Sequence, residues 1–267
     1  MNNNSIRVAF TLPTTEEHSN LSNQFSLDVI LGLLNSSIIR TISIHPFNTI
    51  NLQESQKKSI LNTWYSNVET LLFDIKYAYG FLLFFYNAGI PDERVTDYGT
   101  ESNKFFPDFE PQHWYNQTSF RFYAEIIISK IFSILDNYGI ILYLQYDENF
   151  NYNQFKNKKN KYINFNTPIN DKNLNIDVII KEKLQLILEN EVYKNGKKIR
   201  NDIVHNKTPL KLSSNLAHIN SGSGSAMVKQ IDYKKSKEVI QMIENLMSDI
   251  LIESTKYIFS NTNYNQK

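Results

Sequence analysis

From Gln53 to Asn87 the chain runs without a proline, and Ile60, Trp64, Val68, Leu71, Leu72, Ile75 and Ala78 recur at steps of three and four residues. That spacing places them on one stripe of an α-helix far longer than the usual three turns. A helix of such length must lay its stripe against partners of similar length. A second run, from about His113 to Tyr138, supplies one, with Phe122, Ile126, Ile127, Ile131 and Ile134 on its inward face. Gly139 is a candidate kink, and Ile140 to Leu144 continues as helix or turns into a strand, with helix the better fit. Only 8 glycines and 7 prolines punctuate 267 residues, which favours an all-α chain over a many-turned β protein.

Further helices are expected over Leu27 to Ile39, Ile176 to Tyr193, Lys197 to Asn206 and Tyr233 to Phe259. Asn195-Gly196 is the expected break between the middle two. In the last helix Val239, Met242, Ile243, Leu246, Ile250 and Leu251 form the apolar side. Residues 1–50 read as an irregular N-terminal extension in which Ile6 to Leu12 and Thr41 to His45 allow a small strand pair. Residues 51–267 form the helical domain. Within it, 147–175 is an Asn/Lys-rich insertion, expected to be a mobile excursion because asparagine competes with backbone hydrogen bonding. Residues 213–226, with the run SGSGSA, read as a flexible loop.

The absence of cysteine excludes disulfides, thiolate metal sites and a cysteine nucleophile. His18, His45, His113 and His218 are scattered, with no HExxH, so no metal site is expected. No Walker A, GxGxxG or GxSxG element is present, and no cofactor is implied. The N-terminus lacks the pattern of a signal peptide, and the most apolar stretch, Ala78 to Tyr86, is shorter than the roughly 20 residues that span a bilayer. These features give the expectation of a cytoplasmic protein with no membrane contact.

Chemistry concentrates in Arg200-Asn201-Asp202-Ile203-Val204-His205. An imidazole can move the proton of a ribose 2′-hydroxyl, and a guanidinium can hold a phosphate and stabilise charge building on it. On a helix Ile199 and Ile203 share the inward face, Asn201 and His205 stack on nearly the opposite one, and Arg200 lies to the side. Such an arrangement suits a groove completed by a second copy of the helix. A histidine near a helix C-terminus can also simply complement the dipole, and Arg200 can be an ordinary ion-pair partner. Arg40 to His45 repeats the spacing, but with strand-like alternation at Ile42 and Ile44 and Pro46 directly after. Lys194, Lys197, Lys198 and Lys207 surround the motif as candidate RNA-phosphate contacts, and Tyr193 is a candidate base-stacking ring.

The stretch KKIRNDIVHN resembles the signature of the HEPN superfamily (higher eukaryotes and prokaryotes nucleotide-binding): an arginine, a polar residue, a few residues more and a histidine. The likeness covers about Gln53 to Phe259 in architecture and these residues in detail. It implies a bundle of long antiparallel helices, a homodimer whose two motifs face one cleft, and metal-independent endoribonuclease activity. In that family Arg200 would polarise the scissile phosphate, His205 would act as general acid or base, and Asn201 would orient them. It also implies a toxin or antiviral-defence role, with an antitoxin or defence-complex protein as partner. Two residues past the histidine, where toxins of this family often carry a modifiable tyrosine, stands Lys207. The alternative is a non-catalytic helical module that binds RNA, nucleotide or protein.

Overall fold

The computed structural model describes residues 11–43, 52–96, 109–153, 155, 163–205, 210, 213–221 and 224–259. Two 36-residue helices form its spine, α3 (Leu52–Asn87) and α5 (Pro111–Tyr146), each roughly 54 Å long at 1.5 Å per residue. They lie antiparallel, so Asp74 meets Lys130 at 2.7 Å and the Phe81 ring stacks on Tyr123 with centroids 4.9 Å apart. Their connection holds the single-turn helix α4 (Glu93–Thr96).

Val68, Leu72 and Ile75 on α3 and Ile127, Ile131 and Ile134 on α5 are fully buried, as the three-four spacing predicts. Phe122 breaks the pattern: it is 58% exposed rather than inward. Helix α5 continues unbroken through Gly139. A Cβ there would collide with the backbone of Asn164 and Phe165, so the glycine serves close packing inside the helix. By length and composition α5 could cross a bilayer, which the reading of Ala78 to Tyr86 as the most apolar stretch overlooked. Two thirds of its apolar window (67%) is buried in the bundle, as in a core helix.

The N-terminal region is helical where described. Helix α1 (Thr15–Ser22) starts with a capping box, Thr14 Oγ1 accepting from Glu17 N at 3.2 Å and Glu17 Oε2 accepting from Thr14 N at 2.8 Å. Those bonds hold the Glu17 carboxyl below its usual range. His18 packs onto α3: its Nε2 lies 2.9 Å from Tyr77 O, over the space left by Gly80. Helix α2 (Asp28–Ser43) buries Ile30 and Leu34. Thr41 to Ser43 is thus the end of a helix and not strand. Ile6 to Phe10 and Ile44 to His45 lie outside the described residues, and the strand-pair expectation with them.

The Asn/Lys-rich insertion is packed down where described. Phe150, Phe155, Phe165, Ile169 and Leu174 are buried, and the backbone at Asn164 and Phe165, just before a short helix α6 (Asn166–Asn170), lies against α5 at Gly139. Scattered large apolar side chains anchor the segment despite its polar average. Residues 156–162 lie outside the described residues.

Helices α7 (Val178–Glu189) and α8 (Glu191–Val204) meet at Asn190, not at Asn195-Gly196. Asn190 Oδ1 accepts from Val192 N at 2.8 Å and so starts α8. Gly196 stays within α8, where a Cβ would press on the Leu246 and Phe132 side chains. The stretch expected as a flexible loop is largely an antiparallel hairpin, β1 (Ser213–Ser221) with β2 (Gly224–Asp232), Ser213 facing Asp232 and Ser221 facing Gly224. Of the Gly/Ser run, Ser221 ends β1 and Gly224 and Ser225 begin β2. Helix α9 (Ser236–Asn245) then passes through a π-helical stretch (Leu246–Ile252) into α10 (Glu253–Phe259). Val239, Ile243, Leu246, Ile250 and Leu251 of this closing run are buried, and Met242 is partly so. The architecture is an all-α bundle of long antiparallel helices carrying one two-stranded hairpin.

Candidate functional site

Helix α8 carries the motif on its last turn and a half. Its inner face holds Tyr193, Gly196 and Ile199, all buried, and Ile203 packs partly buried below them. Asn201 and His205 are exposed, as the helical angles predict. His205 caps the helix, its backbone N–H donating to Asn201 O at 3.0 Å with φ −91° and ψ 17°. Helix α8 thus ends at the His205 backbone, the negative end of its dipole.

Arg200 leans across to α5. Its Nη2 is 3.7 Å from Asp136 Oδ2, and Nη1 donates to Asn201 Oδ1 at 3.3 Å. Both partners of the ion pair are about a quarter exposed (26% and 25%), so the guanidinium is reachable from solvent while braced from behind. Asp136 is itself placed by its other oxygen, Oδ1, which accepts from Phe165 N at 3.3 Å. Asn166, next in the chain, accepts from the Tyr193 hydroxyl at 2.9 Å. Segment 164–166 thus ties α5 and α8 together beneath the motif.

Tyr193 is a core residue. Its ring is 4% exposed and packed by Phe132 and Phe165, with Lys197 Nζ 5.5 Å from the ring centre. Burial pushes its hydroxyl up to about 12, with the Asp136 charge adding and Arg200 opposing. The expectation that it stacks a base is corrected: both its ring and its hydroxyl are taken within the chain. Lys194 pairs with Glu191 at 2.7 Å on the exposed side, and Lys198 is also exposed. Lys207 lies outside the described residues, as do Lys156, Lys158, Lys159 and Lys161 of the insertion. Arg40 falls on helix α2, and His45 beyond it is outside the described residues. Among the described residues no group of three histidine or acidic side chains could hold a metal ion.

Sequence reasoning missed Asp136 and Asn166. Asp136 left a legible trace, a lone acid inside the apolar run Ile131 to Ile141. Asn166 left none, since its contact depends on how the insertion folds back.

A helical bundle with an exposed histidine at the end of one helix, and an arginine five residues earlier braced on the long neighbour, defines a class of RxxxxH-bearing helical domains. A family model described as Cthe2314-like HEPN matches residues 64–262, about three quarters of the chain. The chain belongs to the HEPN family. The match leaves α1, α2 and the first turns of α3 outside it. Neither the curated proteins nor the solved structures yield a match.

Proposed function

We propose that the chain is a metal-independent endoribonuclease in which Arg200 and His205 carry out the reaction and Asn201 assists. The supporting observation is the pairing of a braced, solvent-reachable guanidinium with an exposed imidazole on one helix end. In the reaction a ribose 2′-hydroxyl gives its proton to an imidazole and attacks the adjacent phosphorus. The bond to the 5′-oxygen breaks and that oxygen takes a proton. The products are a 2′,3′-cyclic phosphate and a 5′-hydroxyl, and no water is consumed. Arg200 would hold the non-bridging oxygens, where charge grows in the transition state.

Within one chain Arg200 leans towards α5 while His205 stands exposed at the end of α8. A homodimer that brings two such helix ends to one cleft would let the arginine of one copy act with the histidine of the other. Lys194, Lys197 and Lys198 would add phosphate attraction along the approach, steep in salt dependence. The biological setting proposed is a cytoplasmic toxin or antiviral-defence effector, held in check by an antitoxin or defence-complex protein.

One observation favours a second reading, a non-catalytic RNA- or protein-binding module: Asp136 already neutralises part of the Arg200 charge. Controlled expression separates the two. The nuclease reading predicts growth arrest with new 5′-hydroxyl ends in cellular RNA, relieved by Arg200→Ala or His205→Ala. Arrest that persists in both variants, or expression with no new RNA ends, favours the module.

A further inference from the structure

Far from the motif, one face of α5 carries polar side chains into the protein. Arg121 is 2% exposed and Gln117, one turn earlier, is 4% exposed. Nη2 of Arg121 donates to Lys234 O at 2.5 Å, but its Nε and Nη1 are buried without a hydrogen-bond partner among the described residues. The Nε2 amide of Gln117 is in the same state, and so is Nδ1 of His113, another turn back. Residues four apart on a helix are neighbours, so the three form one continuous stripe.

Buried polar groups are nearly always satisfied, and a buried cation with two idle nitrogens is a costly exception. The Asp92 carboxylate does not answer it. Asp92 takes the Tyr233 hydroxyl on Oδ1, together with Ser236 Oγ at 3.1 Å, and Ser236 N on Oδ2 at 2.7 Å. Arg121 meets that group through Tyr233, whose ring centre is 4.8 Å away and whose hydroxyl the guanidinium also reaches. Every idle group on Arg121 and Gln117 is an N–H donor, and the one formal charge they carry is positive. Exposed Lys234 and Lys235 lie beside them at the start of α9. That set is complementary to an oxyanion and to no cation.

We propose that Arg121 and Gln117 form a second binding site, for a phosphate-sized oxyanion, between α5 and the segment leading into α9. It lies fifteen residues along α5 from Asp136, roughly 22 Å at 1.5 Å per residue, and so is separate from Arg200. His113 stands too far along the stripe to share one phosphate with Arg121. It would meet a second group of a larger organic phosphate.

Thermal unfolding of the full chain in inorganic phosphate or a mononucleotide, against sodium chloride of equal ionic strength, tests the site. The expected result is a saturable rise in Tm, about 3 °C or more at ten times Kd. Gln117→Leu and Arg121→Met abolish it, while Arg200→Ala keeps it. His113→Ala weakening only the mononucleotide response identifies an organic phosphate as the occupant; equal responses identify the free anion. Should Arg121→Met fail to fold, Gln117→Leu carries the comparison. No rise with either probe would overturn the proposal and leave water as the partner of these groups. A rise that survives in Gln117→Leu, or vanishes in Arg200→Ala, would overturn it as well.

Discussion

Replacing Gly139 with alanine sets helix propensity directly against packing. In the middle of α5 the exchange gains about 1 kcal/mol of propensity, and on sequence grounds alone it should stabilise. The structure predicts the reverse. A Cβ at Gly139 would overlap the Asn164 carbonyl and the Phe165 backbone, and a backbone cannot rotate away as a side-chain tip can. The segment would have to lift, yet Phe165 and Ile169 are each 1% exposed and hold it down. Lifting also stretches the Phe165 N to Asp136 Oδ1 bond, now 3.3 Å. Overpacking costs about 1–3 kcal/mol and a weakened hydrogen bond about 1, against the 1 gained, for a net loss of about 2 kcal/mol. In a chain of this size that lowers Tm by roughly 4–8 °C. Calorimetry of Gly139→Ala beside Gly32→Ala is the assay, because Gly32 sits on exposed helix with nothing within 4 Å of its would-be Cβ. Gly32→Ala should be neutral or slightly stabilising. If Gly139→Ala melts at or above the parent, the close approach of 164–165 to α5 is wrong, and so is the brace under Arg200.

Three further outcomes follow from the same contacts. Tyr138→Phe should cost about 1–2 kcal/mol in urea unfolding, because Thr255 gives its own proton to Leu251 O and must accept at 2.7 Å from the buried tyrosine. Tyr193 titrates near about 12 when folded against an ordinary 10.0, so the folded state keeps a proton the unfolded state has lost. Its contribution is full below pH 10 and disappears as pH rises towards 12, and Tm measured from pH 9 to 11.5 should fall less steeply in Tyr193→Phe. His205→Ala should alter stability by less than about 0.5 kcal/mol, since the side chain is exposed, so any loss of activity in it is a loss of chemistry.

The long helices were legible because burial on one side of a helix writes a three-four spacing into the sequence, and α3 was anticipated to within a residue at each end. The orientation of the motif helix was legible for the same reason, through Ile199 and Ile203. What escaped was set by tertiary contact. Gly196 reads as a breaker but is a contact point for Leu246, while Asn190, an unremarkable amide, caps the real helix start. The insertion reads as mobile by composition, yet five well-spaced apolar residues suffice to pin it. Tyr193 could be placed next to the motif from sequence, but not inside or outside, since inside depended on Asn166 coming from that same insertion. Asp136 could be noticed as an isolated acid, but its partner could not.

The most direct test of the account is cleavage of a mixed RNA pool by the purified chain in EDTA, with His205→Ala and Arg200→Ala in parallel. The account predicts that only the parent protein cleaves, leaving 2′,3′-cyclic phosphate and 5′-hydroxyl ends. Equal cleavage by parent and variants, or folded protein that binds RNA and leaves it intact, would contradict it.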